Sequence, residues 1–188
     1  VAPGDYTLRL ILEKDTVETD VTILPNPTIK ATKTAFKEQQ AMLVSIENTI
    51  RTMHTSINQM QSVQKQLETY AELLEHHEDA KPLLNKGNTL LKRIKRWEEN
   101  LIQSEQKTFQ DVINFNNRLN AQLIALKNYI DQADPEITDG AKERYTDLMA
   151  DWQVYKTERD AIIEVEMKAF NSMYKTLNLP ALILSKTE

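Results

Sequence analysis

The stretch Leu43–Leu74, LVSIENTIRTMHTSINQMQSVQKQLETYAELL, decides the fold. Ile46, Ile50, Met53, Ile57, Met60, Val63, Leu67, Tyr70 and Leu74 follow one another at intervals of 4, 3, 4, 3, 3, 4, 3 and 4 residues. That spacing lays the apolar side chains along one stripe of an α-helix and leaves the rest of its surface polar. Sustained over four heptads, it is a coiled-coil-like seam that asks for neighbouring helices. Phe36 and Leu43 carry the seam backwards. The pattern predicts a first helix from about residue 32 to residue 78, about 70 Å long at the 1.5 Å rise of an α-helix. Met42, Met53 and Met60 on it read as core filler.

Downstream, the same period returns three times. Leu83, Gly87, Leu90, Ile94, Trp97 and Leu101 predict a second helix over about 80–103, with Asp79 as its cap and Pro82 in its first turn. Ser104 to Val112 is polar and ambiguous. Phe115, Leu119, Leu123, Leu126 and Ile130 predict a third helix over about 113–133. After the turn signals Asp134-Pro135 and Thr138-Asp139-Gly140, a fourth helix is expected over about 138–176. Its seam runs Ala141, Tyr145, Leu148, Trp152, Tyr155, Arg159, Ile162, Glu166, Ala169, Met173. Arg159 and Glu166 interrupt the stripe, either where it meets water or as a buried pair that sets register.

The first 25 residues obey a different period. Tyr6–Leu12 and Thr16–Leu24 are β-branched, roughly alternating runs around the polar turn Glu13-Lys14-Asp15, bounded by Ala2-Pro3-Gly4 and Pro25-Asn26-Pro27. They predict a β-hairpin. Because a lone hairpin is marginal in water, it either docks on the helices or closes a sandwich whose other strands lie elsewhere.

The expected fold is therefore mainly α: an antiparallel four-helix bundle, two helices long and two shorter, with an N-terminal β-hairpin. The domain division is 1–27 for the hairpin and 28–188 for the bundle. In up-down-up-down order the start of the first helix and the end of the fourth share one end, where the apolar tail Leu179-Pro180-Ala181-Leu182-Ile183-Leu184 is expected to join the hairpin.

Composition narrows function more by exclusion than by pointing. The chain has 188 residues, 3 Gly and no Cys, so thiolate metal sites, disulfides and Cys nucleophiles are excluded. With 23 basic against 28 acidic residues the net charge is −5. The one dense basic run, Lys86, Lys92, Arg93, Lys95 and Arg96, is followed directly by Glu98 and Glu99, the pattern of a solvated helix face and not of a nucleic-acid site. Mean hydropathy is −0.52, and no apolar run reaches the length of a membrane span.

Candidate chemistry is sparse. His76, His77, Glu78 and Asp79 are a compact set of metal-ligand types, but neighbours on a helix diverge by about 100° and do not converge as i, i+4 pairs do. Histidines near a helix C-terminus are favoured by the macrodipole alone. His54 reads as structural or exposed. Trp97, Trp152, Tyr145 and Tyr155 occupy seam positions and read as core. No phosphate loop, nucleophile elbow or zinc-helix motif is present, and nothing singles out one pair of carboxylates. No catalytic residue, cofactor or metal is assigned.

Three stretches, taken in order, resemble the C-terminal region of bacterial sortilin-like, BNR-repeat β-propeller proteins, a family often labelled as glycosyl hydrolases. They are APGDYTLRLILEKDTVETDVTILPNP (Ala2–Pro27), TFQDVINFNNRLNAQLIAL (Thr108–Leu126) and TDGAKERYTDLMADW (Thr138–Trp152), followed by Phe170-Asn171 and the terminal LPALIL. The chain departs from the family at Asn26-Pro27-Thr28, where Asp-Pro-Arg is usual, and near Asn116, where a proline is frequent. The resemblance implies that residues 1–27 are the remnant of an Ig-like β-sandwich domain. It further implies a larger secreted, periplasmic or cell-surface protein with propellers before Val1, of which this chain is the non-catalytic C-terminal structural or interaction module. The alternative is a part of a glycoside hydrolase that contributes to substrate binding while catalysis resides in the propellers. Expected partners are other domains of the parent, another protein, or a second copy, with no nucleic acid and no membrane span.

Overall fold

The computed structural model describes residues 1–177. Strand β1 (Gly4–Ile11) pairs antiparallel with β2 (Thr16–Ile23). Helices α1 (Lys33–Leu74), α2 (Lys81–Leu101), α3 (Leu119–Ile130), α4 (Asp139–Ala161) and α5 (Lys168–Thr176) follow. A turn of π-helix, Ile162–Met167, joins α4 to α5 without a break in helical geometry, so the two make one rod. The described chain is thus mainly helical, with two long and two shorter helical stretches after an N-terminal β-hairpin. The tail Leu179–Leu184, and the expectation that it meets the hairpin, lie outside the described residues.

Local chemistry explains where the elements stop. Asn26 makes the exit turn from the hairpin, its side-chain oxygen accepting from the Thr28 amide at 3.0 Å and the Thr28 hydroxyl at 2.8 Å. The Thr32 hydroxyl accepts from the Ala35 amide at 3.1 Å and caps α1. Asp79 does not cap α2; a 3₁₀ turn, Glu78–Ala80, intervenes, and Ala80 stands at the cap with Pro82 in the first turn. Helix α3 starts at Leu119, six residues later than the period suggested. Asn114, Asn116 and Asn117 precede it, and their short amides compete with the helical backbone for hydrogen bonds. Before them a 3₁₀ turn, Phe109–Ile113, is closed by a capping box between Thr108 and Asp111.

The described chain forms two compact units. The first holds Val1–Ile50 with Leu123–Thr146. In it Leu43, Ile46, Leu123, Leu126, Ile130 and Ala141 are buried. Gln39 donates to the carbonyls of Ile130 at 2.8 Å and Gln132 at 2.9 Å, satisfying the end of α3. Lys127 pairs with Glu47 at 2.9 Å. Because Gln39 meets residues 130–132 while Glu47 meets Lys127, α3 runs against α1. The hydroxyls of Ser45 and Tyr145 lie 2.6 Å apart, setting α4 beside α1.

The second unit holds Arg51–Gln122 with Asp147–Glu188. Its core includes Met53, Ile57, Met60, Leu67, Leu74, Leu83, Leu90, Ile94, Trp97, Leu148, Ile162 and Phe170. Gln61 and Gln64 each donate to Glu98 at 2.6 Å, and Lys95 pairs with Glu68 at 3.2 Å, so α2 runs against α1. Arg159 meets Ser56 at 2.6 Å, and the ring of Tyr174 meets that of Tyr70 at 5.3 Å. Here α1 and the α4–α5 rod run in the same direction. Strict up-down-up-down order would set them against one another. The expectation that the end of the fourth helix joins the start of the first is therefore replaced: the first unit contains the starts of α1 and α4 together, and α5 belongs to the second. Ser104–Val112 carries no reversal signal of the Asp134-Pro135 kind, so the expected up-down-up-down order had no local support there.

Candidate functional site

The histidine cluster resolves into a turn. Helix α1 ends at Leu74, and the His77 amide donates to the Leu74 carbonyl at 2.9 Å while the His77 carbonyl accepts from Ala80 at 2.9 Å. Glu78 pairs with Lys81 at 2.5 Å. The backbone thus uses His77 to hold the corner between two helices, and His76, Glu78 and Asp79 are exposed around it. Among the described residues no three His, Cys, Asp or Glu side chains are grouped to hold a metal ion. His54 lies elsewhere, its Nε2 at 2.8 Å from Asn120 Oδ1.

Two side chains of the basic run of α2, Arg93 and Lys95, meet carboxylates from neighbouring helices. Arg93 pairs with Glu158 at 3.1 Å and Glu166 at 3.7 Å, and Lys95 with Glu68. Arg159 and Glu166 do not form a pair with each other. Glu166 turns to Arg93, whereas Arg159 donates to Ser56 Oγ and to Asp160, the latter at 2.6 Å from Nη2. Such part-exposed pairs are ordinary on a helical surface. Among the described residues no helix is long and apolar enough to cross a membrane.

The aromatic seam residues are packed. Trp97 is fully buried, and its indole N–H donates to the Tyr155 carbonyl at 2.8 Å; Trp152 is buried, and Tyr145 spends its hydroxyl on Ser45. Two surfaces stand apart from this pattern.

The first is the hairpin. Its register places Gly4, Tyr6, Leu8 and Leu10 opposite Ile23, Val21, Thr19 and Val17 on one face. The other face pairs Asp5 with Thr22 at 2.6 Å, Thr7 with Asp20 at 3.1 Å and Arg9 with Glu18 at 2.5 Å. One face is therefore saturated with cross-strand polar bonds, and the other is apolar. Yet Leu8, Leu10 and Val17 on the apolar face are 57%, 60% and 60% exposed. The alternating pattern in the sequence announced this face; only the structure leaves it bare.

The second is a cleft in the second unit, about 190 Å³, lined by Leu67, Tyr70, Leu90, Met167, Phe170 and Tyr174 among others. The sequence pattern missed it because the π turn takes up one extra residue. The expected stripe Glu166, Ala169, Met173 is displaced by one, to Met167, Phe170 and Tyr174, with Phe170 buried. Phe170 lies 6.2 Å from Tyr70, centre to centre, and a Cβ on Gly87 would stand 3.2 Å from its ring. Glycine at that point of α2 lets the ring approach. Partial burial, and then the neighbouring Tyr70, push the Tyr174 phenol above its ordinary value.

The hairpin face is mainly apolar, whereas the cleft sets apolar walls beside the polar groups of Gln66, Tyr70, Asn171 and Tyr174. Comparison of the chain with family models, curated proteins and solved structures gave no match.

Proposed function

We propose that this chain is a non-catalytic structural and interaction module of a larger secreted protein of the sortilin-like, BNR-repeat kind, labelled as glycosyl hydrolases. The resemblance of Ala2–Pro27, Thr108–Leu126 and Thr138–Trp152 to that family supports the parent. The single observation that carries the module reading is the bare apolar face of the hairpin. A two-stranded ribbon gains too little burial to hold itself together in water, and two open edges offer unpaired backbone groups. Additional strands of the same polypeptide, N-terminal to Ala2, would cover Leu8, Leu10 and Val17 and complete an Ig-like sandwich. The α-helical units then follow as the scaffold that this sandwich is fixed to.

Amide hydrogen exchange tests the reading on two versions of the protein, this chain and the chain extended by its naturally encoded upstream residues. Amides of Tyr6–Leu10 and Val17–Val21 are expected to exchange slower by about tenfold or more in the extended form. Equal exchange in the two forms overturns the proposal, as does a start codon within a few residues of Val1. Turnover of glycans by the isolated chain would instead favour the hydrolase alternative.

A further inference from the structure

We propose that the Tyr70–Phe170–Tyr174 cleft of the second unit is a binding site for a small, neutral phenolic molecule, a single aromatic ring with a hydroxyl at one edge. The site stands independently of the parent protein proposed above. Its depth is apolar: Leu67, Leu90 and Phe170 are buried and form the floor. Its mouth is polar, with the side chains of Gln66 and Asn171 exposed beside it. Among the described residues that line it, none is charged. Its volume of about 190 Å³ is a little above the roughly 150 Å³ that accommodates benzene in an apolar protein cavity, so one ring fills it.

Each feature narrows the ligand. With no charged partner inside, an ionised ligand would lose hydration that the cleft does not replace. A monosaccharide carries hydroxyls all round its ring, and those facing Leu67, Leu90 and Met167 would go unmet. A phenol carries one hydroxyl at one edge, so its carbon skeleton can lie inward and its O–H outward. The walls also favour an aromatic ring over an aliphatic one. The Tyr70 ring is tilted by 52° against Phe170 and by 58° against Tyr174, geometry in which ring edges approach ring faces. The thioether of Met167 beside them suits an aromatic edge. At the mouth, the Gln66 amide nitrogen donates to the Ser62 carbonyl at 3.2 Å, which leaves its oxygen as the acceptor for the ligand's O–H.

Titration of the full chain with p-cresol, followed by NMR of backbone and side-chain amides, tests the site. The expected result is saturable shifts at the Gln66 and Asn171 side chains and at the residues of the floor, with a dissociation constant of about 1 mM or tighter. Glucose, and p-toluate with a carboxylate in place of the hydroxyl, should each bind at least about tenfold more weakly. Gln66 is exposed, so Gln66→Leu should not disturb the fold. It should weaken p-cresol by about fivefold, the worth of one hydrogen bond, without weakening toluene. Shifts that do not saturate, shifts clustered away from the cleft, equal affinity for glucose or p-toluate, or an unchanged affinity in Gln66→Leu would each overturn the proposal. Cleft signals that move with protein concentration alone would assign it to a second copy and overturn it too.

Discussion

Arg159 donates from Nη1 to the hydroxyl of Ser56 across 2.6 Å, joining two helices at residues 103 positions apart. Ser56 is 2% exposed, and its own hydroxyl proton goes back to the Thr52 carbonyl at 2.9 Å. The hydroxyl therefore works as relay: it takes the guanidinium's bond and passes its own into the helix. Ser56→Ala removes the acceptor from a largely covered guanidinium. The expected cost is about 1–3 kcal/mol, the penalty of an unmet buried donor. In the double variant Ser56→Ala/Arg159→Met neither partner is left unmet, and stability returns to within about 1 kcal/mol of the parent. Urea unfolding of the four proteins in the cycle measures both figures.

Gly87 and Phe170 make a second pair that can be read energetically. Alanine in mid-helix is worth about 0.8–1 kcal/mol over glycine, but here its methyl would press on the Phe170 ring at 3.2 Å. The two effects oppose, so Gly87→Ala should leave stability within about 1 kcal/mol of the parent. In a Phe170→Leu background the ring is gone, and the same substitution should stabilise by nearly the full helix-propensity gain. Thermal unfolding of the four variants decides; a stabilisation of equal size in both backgrounds would show that ring and methyl do not meet.

The π turn behaves as a one-residue insertion, and that is open to test by removing one residue. Val165 lies within it and is 65% exposed. Without Val165, the order Ile162, Met167, Phe170, Tyr174 falls into intervals of 4, 3 and 4, an ordinary α-helical stripe. The deletion should keep helical circular dichroism and cost no more than about 1 kcal/mol. Insertion of an alanine after Trp152, where α4 is regular, should cost several times that, since it throws Ile162 and Phe170 off the core face together.

Asp111 gives a pH signature. The backbone N–H of Lys107, and then that of Thr108, donate to its carboxylate at 2.8 Å each and hold its pKa below the ordinary 3.8. A carboxylate depressed in the folded state contributes its stability above the unfolded pKa and loses it as pH falls through the folded one. The turn at Thr108–Ile113 should therefore persist down to pH 3.8 and loosen below it. Amide shifts of Lys107 and Thr108, followed by NMR from pH 6 to about 2, should titrate together with a midpoint under 3.8. A midpoint at or above the ordinary value would mean that the box is not formed in solution.

How far the sequence could be read differs between elements. All six expected core positions of α2 are buried, because a short amphipathic helix with one stripe has a single way to face its neighbours. The hairpin appears where the alternating runs placed it, and its register comes from the structure. On α1 the apolar seam is buried or half-buried, but Thr49 and Ser56, 7% and 2% exposed, went unread. They repeat at seven residues beside the seam, and their polarity hides that they face partners; each hydroxyl meets a carbonyl four residues back. The candidate site was least legible, since the Tyr70–Phe170–Tyr174 cleft depends on a π turn with no marker in composition.

The period of side chains along the chain is a local property, and it determined that the hairpin and the helical stretches form and, up to the π turn, which stripe of each helix is apolar. Direction and register are not local. Whether α4 runs with α1 or against it depends on contacts such as Ser45 with Tyr145 and Ser56 with Arg159, 100 and 103 residues apart. Packing likewise chose which polar groups lie inside, and it displaced the stripe of α5 by one residue. Those choices minimise unmet hydrogen bonds and empty space across segments far apart in sequence, so only the folded structure could make them.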